Sequence, residues 1–398
     1  MKRTLLALTV AAMAAAVFAG EPITVGEIVT VESRVLGETR TILVSTPDRY
    51  AQRSERYPVL YMTDGNAHLL HTRGTVDFLS RNGLMPDLIV VAVVNTDRTR
   101  DLTPTRGSRT LDDGTQQEVA NSGGADRFLE FFEKELFPYV EANYRTAPFR
   151  LFAGHSLGGL LALHILTAHP GMFDAIIAAS PSLRWDDDFI LKQALRFSRD
   201  TGEARAFLFV TMGDEEKDEK SPTRFERLQG ILRRATPEGF TWGSRLMTDE
   251  DHGTVVLRSH YFGLRAAFDG WRLPSDPRTR AYNGGIADLA AHYAGLSKRF
   301  RVAARAPETL VNQLGYQYLG RNEVATALTF FRYNVQLYPE SANVHDSLGE
   351  ALERAGEMTE AAASYSKAVE IGGRAADPNL ALFTRNRDRL RSAAATAP

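Results

Sequence analysis

The chain has 398 residues, of which 43% are hydrophobic and 24% charged, a composition that fits a folded globular protein and excludes a disordered or fibrous one. Lysine and arginine number 47 against 49 aspartate and glutamate, so a formal charge of −2 offers no basic field for nucleic acid or an anionic membrane. Cysteine is absent, which excludes disulfides, thiolate metal sites and a cysteine nucleophile. The length exceeds the roughly 250 to 300 residues that one core organises, so we expect a second structural unit.

The first residues have the pattern of an export signal. Lys2 and Arg3 precede an apolar, alanine-rich stretch that ends in small residues at Ala19. About 14 apolar residues are too few for a membrane span, which needs roughly 20. We therefore expect a signal peptide over residues 1–19, cleaved after Ala19, and a periplasmic or secreted protein without a membrane span.

Short β-rich segments come next, and strands then alternate with helices. The wholly apolar run 88–94 is typical of a central strand that is covered on both faces. Antiparallel strands that lead into a βα series predict an α/β domain over residues 20–272, with a mostly parallel sheet and helices on both faces. The predicted strands are 23–33, 39–45, 57–62, 88–94, 150–153, 175–179, 206–212 and 241–247. The predicted helices are 127–144 with a kink at Pro138, 157–169, 189–197, 223–235 and 254–268.

A linker that contains prolines, 273–285, leads into a purely helical region, 286–398. Shifting this region by about 34 residues superposes the Leu-Gly pair at 314–315 on that at 348–349. This all-α region therefore has the pattern of tetratricopeptide repeats, and the alternative is two unrelated amphipathic helix pairs. Two repeats rarely bury a continuous core alone, so we expect this tail to pack on the first domain, on its flanking helices or on a protein partner.

The pattern G-x-S-x-G, which marks a nucleophile elbow, occurs at Gly154-His155-Ser156-Leu157-Gly158. It stands between a predicted strand and a predicted amphipathic helix, which is the setting that the motif requires. The glycines leave room for the strained backbone of a nucleophile. We therefore predict that Ser156 is a nucleophile at a helix N-terminus, where the Leu157 N–H stabilises an oxyanion.

A serine nucleophile needs an imidazole base, and the base needs a carboxylate that orients it. In proteins with a G-x-S-x-G elbow between a strand and a helix, the three residues occur along the chain in the order serine, acid, histidine. His252 stands in a polar loop after the last predicted strand, so it is the predicted base, with a solvated loop histidine as the alternative. The acid is expected just after strand 206–212, where Glu216 is favoured and Asp214 and Glu215 are alternatives.

The loop after strand 57–62 is expected to supply the second oxyanion donor. We prefer the Asn66 N–H, with Gly65 as the alternative, because a glycine lets the backbone turn its N–H inward. His68 and His71 are three residues apart, but they lie outside any H-E-x-x-H pattern. The sequence therefore predicts neither a metal nor a cofactor.

These motifs resemble the putative esterase family of α/β-hydrolases that contains the enterochelin and ferri-bacillibactin esterases, and especially its bacterial branch with a tetratricopeptide tail. The resemblance implies an α/β-hydrolase fold and hydrolysis of small-molecule carboxylic esters, siderophore-type esters among them, through an acyl-enzyme on Ser156 with His252 as base. The alternative is a binding or scaffold protein, in which the tail recruits a partner and the hydrolase domain is an inactive platform. The stretches that carry the resemblance are 61–65, 98–104, 122–128, 154–159, 180–182 and 251–253.

Two further residues are candidates for contact with the substrate. Trp185 follows the stretch Ser180-Pro181-Ser182 and is a candidate lining residue of the acyl pocket, with a structural role as the alternative. Arg100 is a candidate for an anionic substrate, and a surface salt bridge is its alternative use.

Overall fold

The computed structural model describes residues 23–48, 50–110, 115–200, 202–215, 223–235, 237–275 and 282–395. The predicted signal peptide and part of the predicted linker lie outside these residues. The strands are β1 (Glu27–Ser33), β2 (Glu38–Ser45), β3 (Tyr57–Met62), β4 (Ile89–Val93), β5 (Ser108–Thr110), β6 (Gln116–Glu118), β7 (Thr146–His155), β8 (Ala175–Ala179), β9 (Phe207–Gly213) and β10 (Thr241–Met247). The helices of the first part are α1 (Gly65–Arg81), α2 (Arg98–Leu102), α3 (Ala125–Phe131), α4 (Phe137–Asn143), α5 (Leu157–Ala168), α6 (Trp185–Phe197), α7 (Arg224–Leu232) and α8 (Val255–Ala267). The helices of the second part are α9 (Ile286–Phe300), α10 (Glu308–Gly320), α11 (Val324–Leu337), α12 (Ala342–Ala355), α13 (Met358–Ala375) and α14 (Leu380–Ala395).

Eight strands form one mixed sheet in the order β1-β2-β4-β3-β7-β8-β9-β10. The pairs β1/β2 and β2/β4 are antiparallel, and every later pair in this order is parallel. The short strands β5 and β6 pair separately as an antiparallel hairpin. The predicted α/β class with a mostly parallel sheet is therefore confirmed.

Side chains of the central strands alternate between two hydrophobic layers. On β3, Val59 and Tyr61 join the cluster formed with α3 to α7, whereas Leu60 and Met62 join the cluster formed with α1 and α8. Coverage on both faces explains why these strands have continuous apolar sequences. Because the central strands are parallel, their carboxyl ends meet at one edge of the sheet, where ligands bind in open α/β folds.

The helical region α9–α14 packs on the α1/α8 face of the sheet. The Phe300 ring is buried, and its centroid lies 5.3 Å from that of Phe149 and 5.1 Å from that of Phe268. Arg301 forms an ion pair of 2.7 Å with Asp174, the residue directly before β8. The tail and the sheet therefore share one hydrophobic core, so the tail does not depend on its own two helix pairs for burial.

Within the tail, α12 and α13 begin 34 residues after α10 and α11 respectively. Helix α10 contacts α11, and α12 contacts α13, at a glycine that faces an aromatic ring. A Cβ at Gly315 would lie 2.7 Å from the Phe331 ring, and one at Gly349 would lie 2.8 Å from the Tyr365 ring. Both glycines are therefore needed for close helix contact, as the repeat pattern predicts. Their assignment to the tetratricopeptide class stays a prediction.

The structure differs from the predicted elements in four places. Helix α1, helix α2 and the β5/β6 hairpin were not predicted from the sequence. The predicted helix 127–144 is divided into α3, a π-helical turn at Phe132–Leu136 and α4, with Pro138 in the first turn of α4. In the described parts of the chain, each helix is too short or too polar to cross a bilayer.

Candidate active site

Ser156 lies at the tip of a sharp turn between β7 and α5. Its φ of 59° and ψ of −113° place a non-glycine residue in a strained region of backbone conformation. The Ser156 N–H donates to the Ala179 carbonyl at 3.0 Å, and its own carbonyl accepts from the N–H of Leu160 and of Ser182. These three hydrogen bonds tie the turn to the end of β8 and to the first turn of α5, so the strained conformation is held from both sides.

Three glycines around the turn are required by close backbone contacts. A Cβ at Gly154 would lie 2.1 Å from the Gly158 carbonyl oxygen, and one at Gly158 would lie 2.5 Å from Thr63 Oγ1. A Cβ at Gly159 would lie 2.8 Å from Pro181 Cα. Side chains are therefore excluded at each position, and the contact of Gly158 with Thr63 shows that the turn after β3 abuts the elbow.

The loop after β10 brings His252 to Ser156, although 95 residues separate them in the chain. His252 Nε2 lies 2.9 Å from Ser156 Oγ, and His252 Nδ1 lies 2.7 Å from Glu215 Oε2. The His252 side chain is 47% exposed and that of Glu215 is 21% exposed. A carboxylate, an imidazole and a hydroxyl in this order form a path along which the hydroxyl proton can move to the imidazole.

Glu215 was an alternative acid in the sequence analysis, and the favoured Glu216 lies outside the described residues. Burial raises the pKa of the Glu215 carboxyl, but hydrogen bonds from His252 and Ser180 lower it by more, so the pKa lies below its ordinary value. Ser180 is fully buried, and its Oγ also accepts from the Gly213 N–H at 3.0 Å. Ser180 therefore fixes the turn after β9 and favours the charged form of Glu215.

His155, the residue before Ser156, anchors the loop that carries His252. His155 Nε2 lies 2.7 Å from the backbone oxygen of His252, which can only accept, so this nitrogen carries the proton and donates it. Burial and then the nearby His252 ring lower the pKa of His155 to about 4, which keeps the ring neutral with a single N–H. The elbow thus positions both the Ser156 hydroxyl and the His252 imidazole.

Asp64, in the turn after β3, is linked to the elbow through Arg98. Its carboxylate accepts from Arg98 Nε at 2.6 Å and from Asn95 Nδ2 at 2.6 Å. The Arg98 guanidinium also donates to the His155 carbonyl at 3.2 Å. Burial raises the pKa of Asp64, but the hydrogen bonds and charge of Arg98 lower it by more, so the carboxylate is favoured. The ion pair Asp64–Arg98 therefore links three segments at this edge of the sheet.

The predicted oxyanion donors lie in the first turns of two helices at this edge. Leu157 is the first residue of α5, and Gly65 and Asn66 are the first two residues of α1. Backbone N–H groups in a first helical turn have no intrahelical acceptor and point toward the positive end of the helix dipole. All three N–H groups therefore remain candidates for stabilising a developing oxyanion.

The two predicted substrate-contact residues have defined partners. The Trp185 indole N–H donates to Thr105 Oγ1 at 3.2 Å, and its half-buried ring covers Gly107, where a Cβ would lie 2.5 Å from the ring. The segment before it is tied to the nucleophile through the Ser182 N–H, so Trp185 remains a candidate lining residue.

Arg100 is different, because two carboxylates occupy its guanidinium. It donates to Glu38 at 2.6 Å and to Asp101 at 2.7 Å, and Asp101 also pairs with the buried Arg40. Arg100 therefore forms ion pairs within the protein, which was the alternative to contact with an anionic substrate.

Several residues of this site were absent from the candidate list derived from the sequence. Their spacing carries no signal, because they act through contacts between segments that are distant in the chain. A weak signal existed for all of them except Asn95, because the others lie in stretches that resemble the esterase family. The residues are Asp64, Asn95, Arg98, His155, Ser180 and Ser182.

Comparison with known proteins shows that this chain is similar to esterases. A family model described as Putative esterase matches residues 33–234. The ferri-bacillibactin esterase BesA of Bacillus subtilis is 33% identical over 183 residues, which are 43% of this chain and 63% of that protein. The siderophore triacetylfusarinine C esterase of Aspergillus fumigatus is 35% identical over 173 residues, which are 40% of this chain and 57% of that protein. The chain thus matches less than two thirds of the length of each of these relatives.

Two solved structures share the fold. An IroE-like serine hydrolase from Shewanella oneidensis has a TM-score of 0.62 at 26% identity, over 79% of this chain and 99% of that chain. An uncharacterised protein from Capnocytophaga ochracea has a TM-score of 0.64 at 19% identity, over 92% of this chain and 99% of that chain. The likeness confirms the predicted α/β-hydrolase fold, and the second match extends into the helical region.

Proposed function

The chain belongs to the Putative esterase family, and on that premise we propose that it is an exported serine esterase that cleaves carboxylic esters through an acyl-enzyme. The observation that carries the proposal is the chain of contacts from Glu215 through His252 to Ser156, at 2.7 and 2.9 Å. An imidazole that touches a serine hydroxyl on one side and a carboxylate on the other is the arrangement that activates a serine.

In the first half of the reaction, Ser156 Oγ attacks the ester carbonyl carbon while His252 Nε2 takes the hydroxyl proton. The Glu215 carboxylate holds the His252 tautomer with its proton on Nδ1 and stabilises the imidazolium that forms. Collapse of the tetrahedral intermediate breaks the ester C–O bond, and His252 returns the proton to the departing alkoxide. The product alcohol leaves, and the acyl group stays on Ser156.

In the second half, His252 takes a proton from water, and the hydroxide attacks the acyl carbon. The oxyanion that forms in each half is stabilised by the Leu157 N–H together with the N–H of Asn66 or Gly65. The backbone of Ser156 is already held in its strained conformation by its hydrogen bonds, so it need not rearrange during these steps. Collapse of the second intermediate releases the carboxylic acid and regenerates the serine hydroxyl.

We propose siderophore-type esters as the substrate class, since two relatives with 33% and 35% identity are named as esterases of such compounds. The His252 side chain is 47% exposed, so the reacting atoms lie at an open surface rather than at the bottom of a narrow pocket. An open site suits a bulky ester whose scissile bond must reach Ser156 while the remainder stays in solvent. Trp185 would then line one side of the acyl group.

We propose export through the signal peptide over residues 1–19, on the charge and hydropathy pattern of that segment. The alternative function, a scaffold with an inactive platform, would leave the tail as the working part. A platform needs neither the strained Ser156 backbone nor a hydrogen-bonded His252, so the geometry favours the enzyme.

The test compares wild type with Ser156→Ala on a panel of p-nitrophenyl esters beside a catecholate trilactone. We expect kcat to fall about 10⁴-fold or more, as loss of a triad nucleophile does. A fluorophosphonate probe should label wild type but not Ser156→Ala. Ser182→Ala is the matched control: it removes a neighbouring hydroxyl, 3.3 Å from Ser156 Oγ, but keeps the Ser182 N–H that holds the turn, so the probe should still label it. Unlabelled wild type supports the scaffold, and hydrolysis by Ser156→Ala contradicts Ser156 as nucleophile.

A further inference from the structure

Two histidines and one aspartate converge at a point away from the proposed active site. His164 Nε2 lies 2.8 Å from Asp126 Oδ1, and His169 Nε2 lies 3.0 Å from the same oxygen. Asp126 belongs to α3, His164 to α5, and His169 caps the C-terminus of α5. Across the described part of the chain, this group is the one whose His, Asp and Glu ligand atoms lie close enough to hold a single cation.

We propose that Asp126, His164 and His169 form a binding site for a divalent cation of the zinc class. From the sequence we predict no metal, because His68 and His71 lie outside any H-E-x-x-H pattern. Asp126 lies 38 residues before His164, and only the packing of α3 on α5 brings the two together. Two neutral imidazoles and one carboxylate are a ligand set that zinc uses when a fourth position stays open to water. The site does not depend on the proposed esterase function.

The second hydrogen bond of His164 supports this assignment. His164 Nδ1 lies 3.1 Å from the amide oxygen Oε1 of Gln193 on α6. An amide oxygen only accepts, so in this arrangement the proton is on Nδ1 and a lone pair on Nε2 faces the Asp126 carboxylate. A bare lone pair would repel an anion at 2.8 Å, so this contact holds either a second ring proton on Nε2 or a cation between the two atoms, and the experiments below separate these two arrangements. Metal-bound histidines commonly donate their other ring N–H to a carbonyl oxygen in this way.

Distances and exposure are compatible with a cation. Tetrahedral zinc with bonds of about 2.0 to 2.1 Å separates neighbouring ligand atoms by about 3.3 Å, so the present contacts must open by roughly 0.3 to 0.5 Å. The Asp126 side chain is 70% exposed and can make this shift, whereas that of His164 is 5% exposed and held by Gln193. His169 is 30% exposed, which leaves a path from solvent. The buried ligand would set the position, and the exposed ligands would close on the ion.

A cation here would cross-link α3 to α5, the helix whose first turn carries the nucleophile elbow. The expected effect of the ion is therefore on stability, because a ligand that binds only the folded state raises the unfolding midpoint. At about 100 times the Kd, zinc should raise Tm by roughly 3 °C for a chain of this size.

The experiment follows thermal unfolding of the chelator-treated full chain, with and without zinc sulfate. Wild type should gain the full rise in Tm, and Asp126→Asn and His169→Gln should lose it. His345→Gln in the tail is the matched control and should keep it, since His345 is a half-buried histidine far along the chain from the site. An equal rise in all four proteins indicates non-specific binding and overturns the proposal.

Cobalt(II) gives a readout that does not depend on how stable the variants are. Wild type with Co²⁺ should develop the visible absorption of a four-coordinate site with nitrogen and oxygen ligands, and Asp126→Asn should not. If wild type shows neither the band nor the rise in Tm, then the imidazoles donate N–H to Asp126 and no cation is held there. That result refutes the metal site.

Discussion

The assignment of Glu215 as the triad acid can be tested by removing its charge while keeping its shape. Glu215→Gln retains the side-chain length and one oxygen that can accept from His252 Nδ1, which now lies 2.7 Å from the carboxylate. The variant loses the negative charge that stabilises the imidazolium during both proton transfers. The residue is 21% exposed and lies in a turn, so the substitution should leave the fold intact.

The size of the effect follows from the separation of the charges. At about 4 Å between charge centres and an effective dielectric constant of about 20, a carboxylate stabilises an imidazolium by roughly 4 kcal/mol. The His252 side chain is 47% exposed, so water screens part of this interaction and we take roughly 3 kcal/mol. That change in the activation free energy corresponds to a fall in kcat of about 100- to 200-fold.

The assay measures kcat and KM for a p-nitrophenyl ester, with Asp214→Asn and Glu216→Gln as matched controls from the same acidic run. Glu215→Gln should lower kcat with little change in KM, because the charge acts in the transition state. Each control should stay within about threefold of wild type, since Glu215 is the carboxylate that contacts His252. A larger loss in Glu216→Gln or Asp214→Asn than in Glu215→Gln would show that the acid has been misassigned.

Three other outcomes are expected. His155→Phe removes the 2.7 Å hydrogen bond that holds the His252 loop, so it should lower kcat about tenfold. His155→Gln can still donate a hydrogen bond and should lower kcat by less. Equal losses of kcat in both variants would argue against a role of His155 in positioning His252. The pKa of His155 falls from 6.5 in the unfolded chain to about 4 in the folded chain, so the unfolded chain binds more protons between these pH values. His155 by itself should therefore lower the free energy of unfolding by about 3 kcal/mol as pH falls from 6.5 to 4. Urea unfolding at both pH values checks this, and a His155→Phe protein with the same pH dependence as wild type would contradict it. The Phe300 ring is 1% exposed and lies between Phe149 and Phe268. Phe300→Ala should lower the free energy of unfolding by about 3 to 5 kcal/mol, and esterase activity should be lost at a lower urea concentration than in wild type. An unchanged urea midpoint would mean that the tail does not stabilise the sheet.

Much of the fold was predictable because its signals are local. The bounds of β3, β8 and β10 agree with the predicted strands, since each is a short β-rich run with clear ends. Helix α1 was missed because its buried positions include Gly65 and Thr72 beside Val76 and Leu79, which dilutes the apolar periodicity. The π-helical turn between α3 and α4 was also missed, because one extra residue in a turn leaves the apolar pattern almost unchanged.

The sequence by itself determined the elbow, its glycines and the order in which a base should follow. Strand, turn and helix are local features, and Gly154 and Gly158 are needed within the turn itself. Only the tertiary structure decided which carboxylate meets His252. Ser180, at the end of β8, fixes the turn after β9 and brings Glu215 within 2.7 Å of the imidazole. Nothing in three adjacent acidic residues encodes that choice, because it depends on contacts between strands that only the packed sheet brings together.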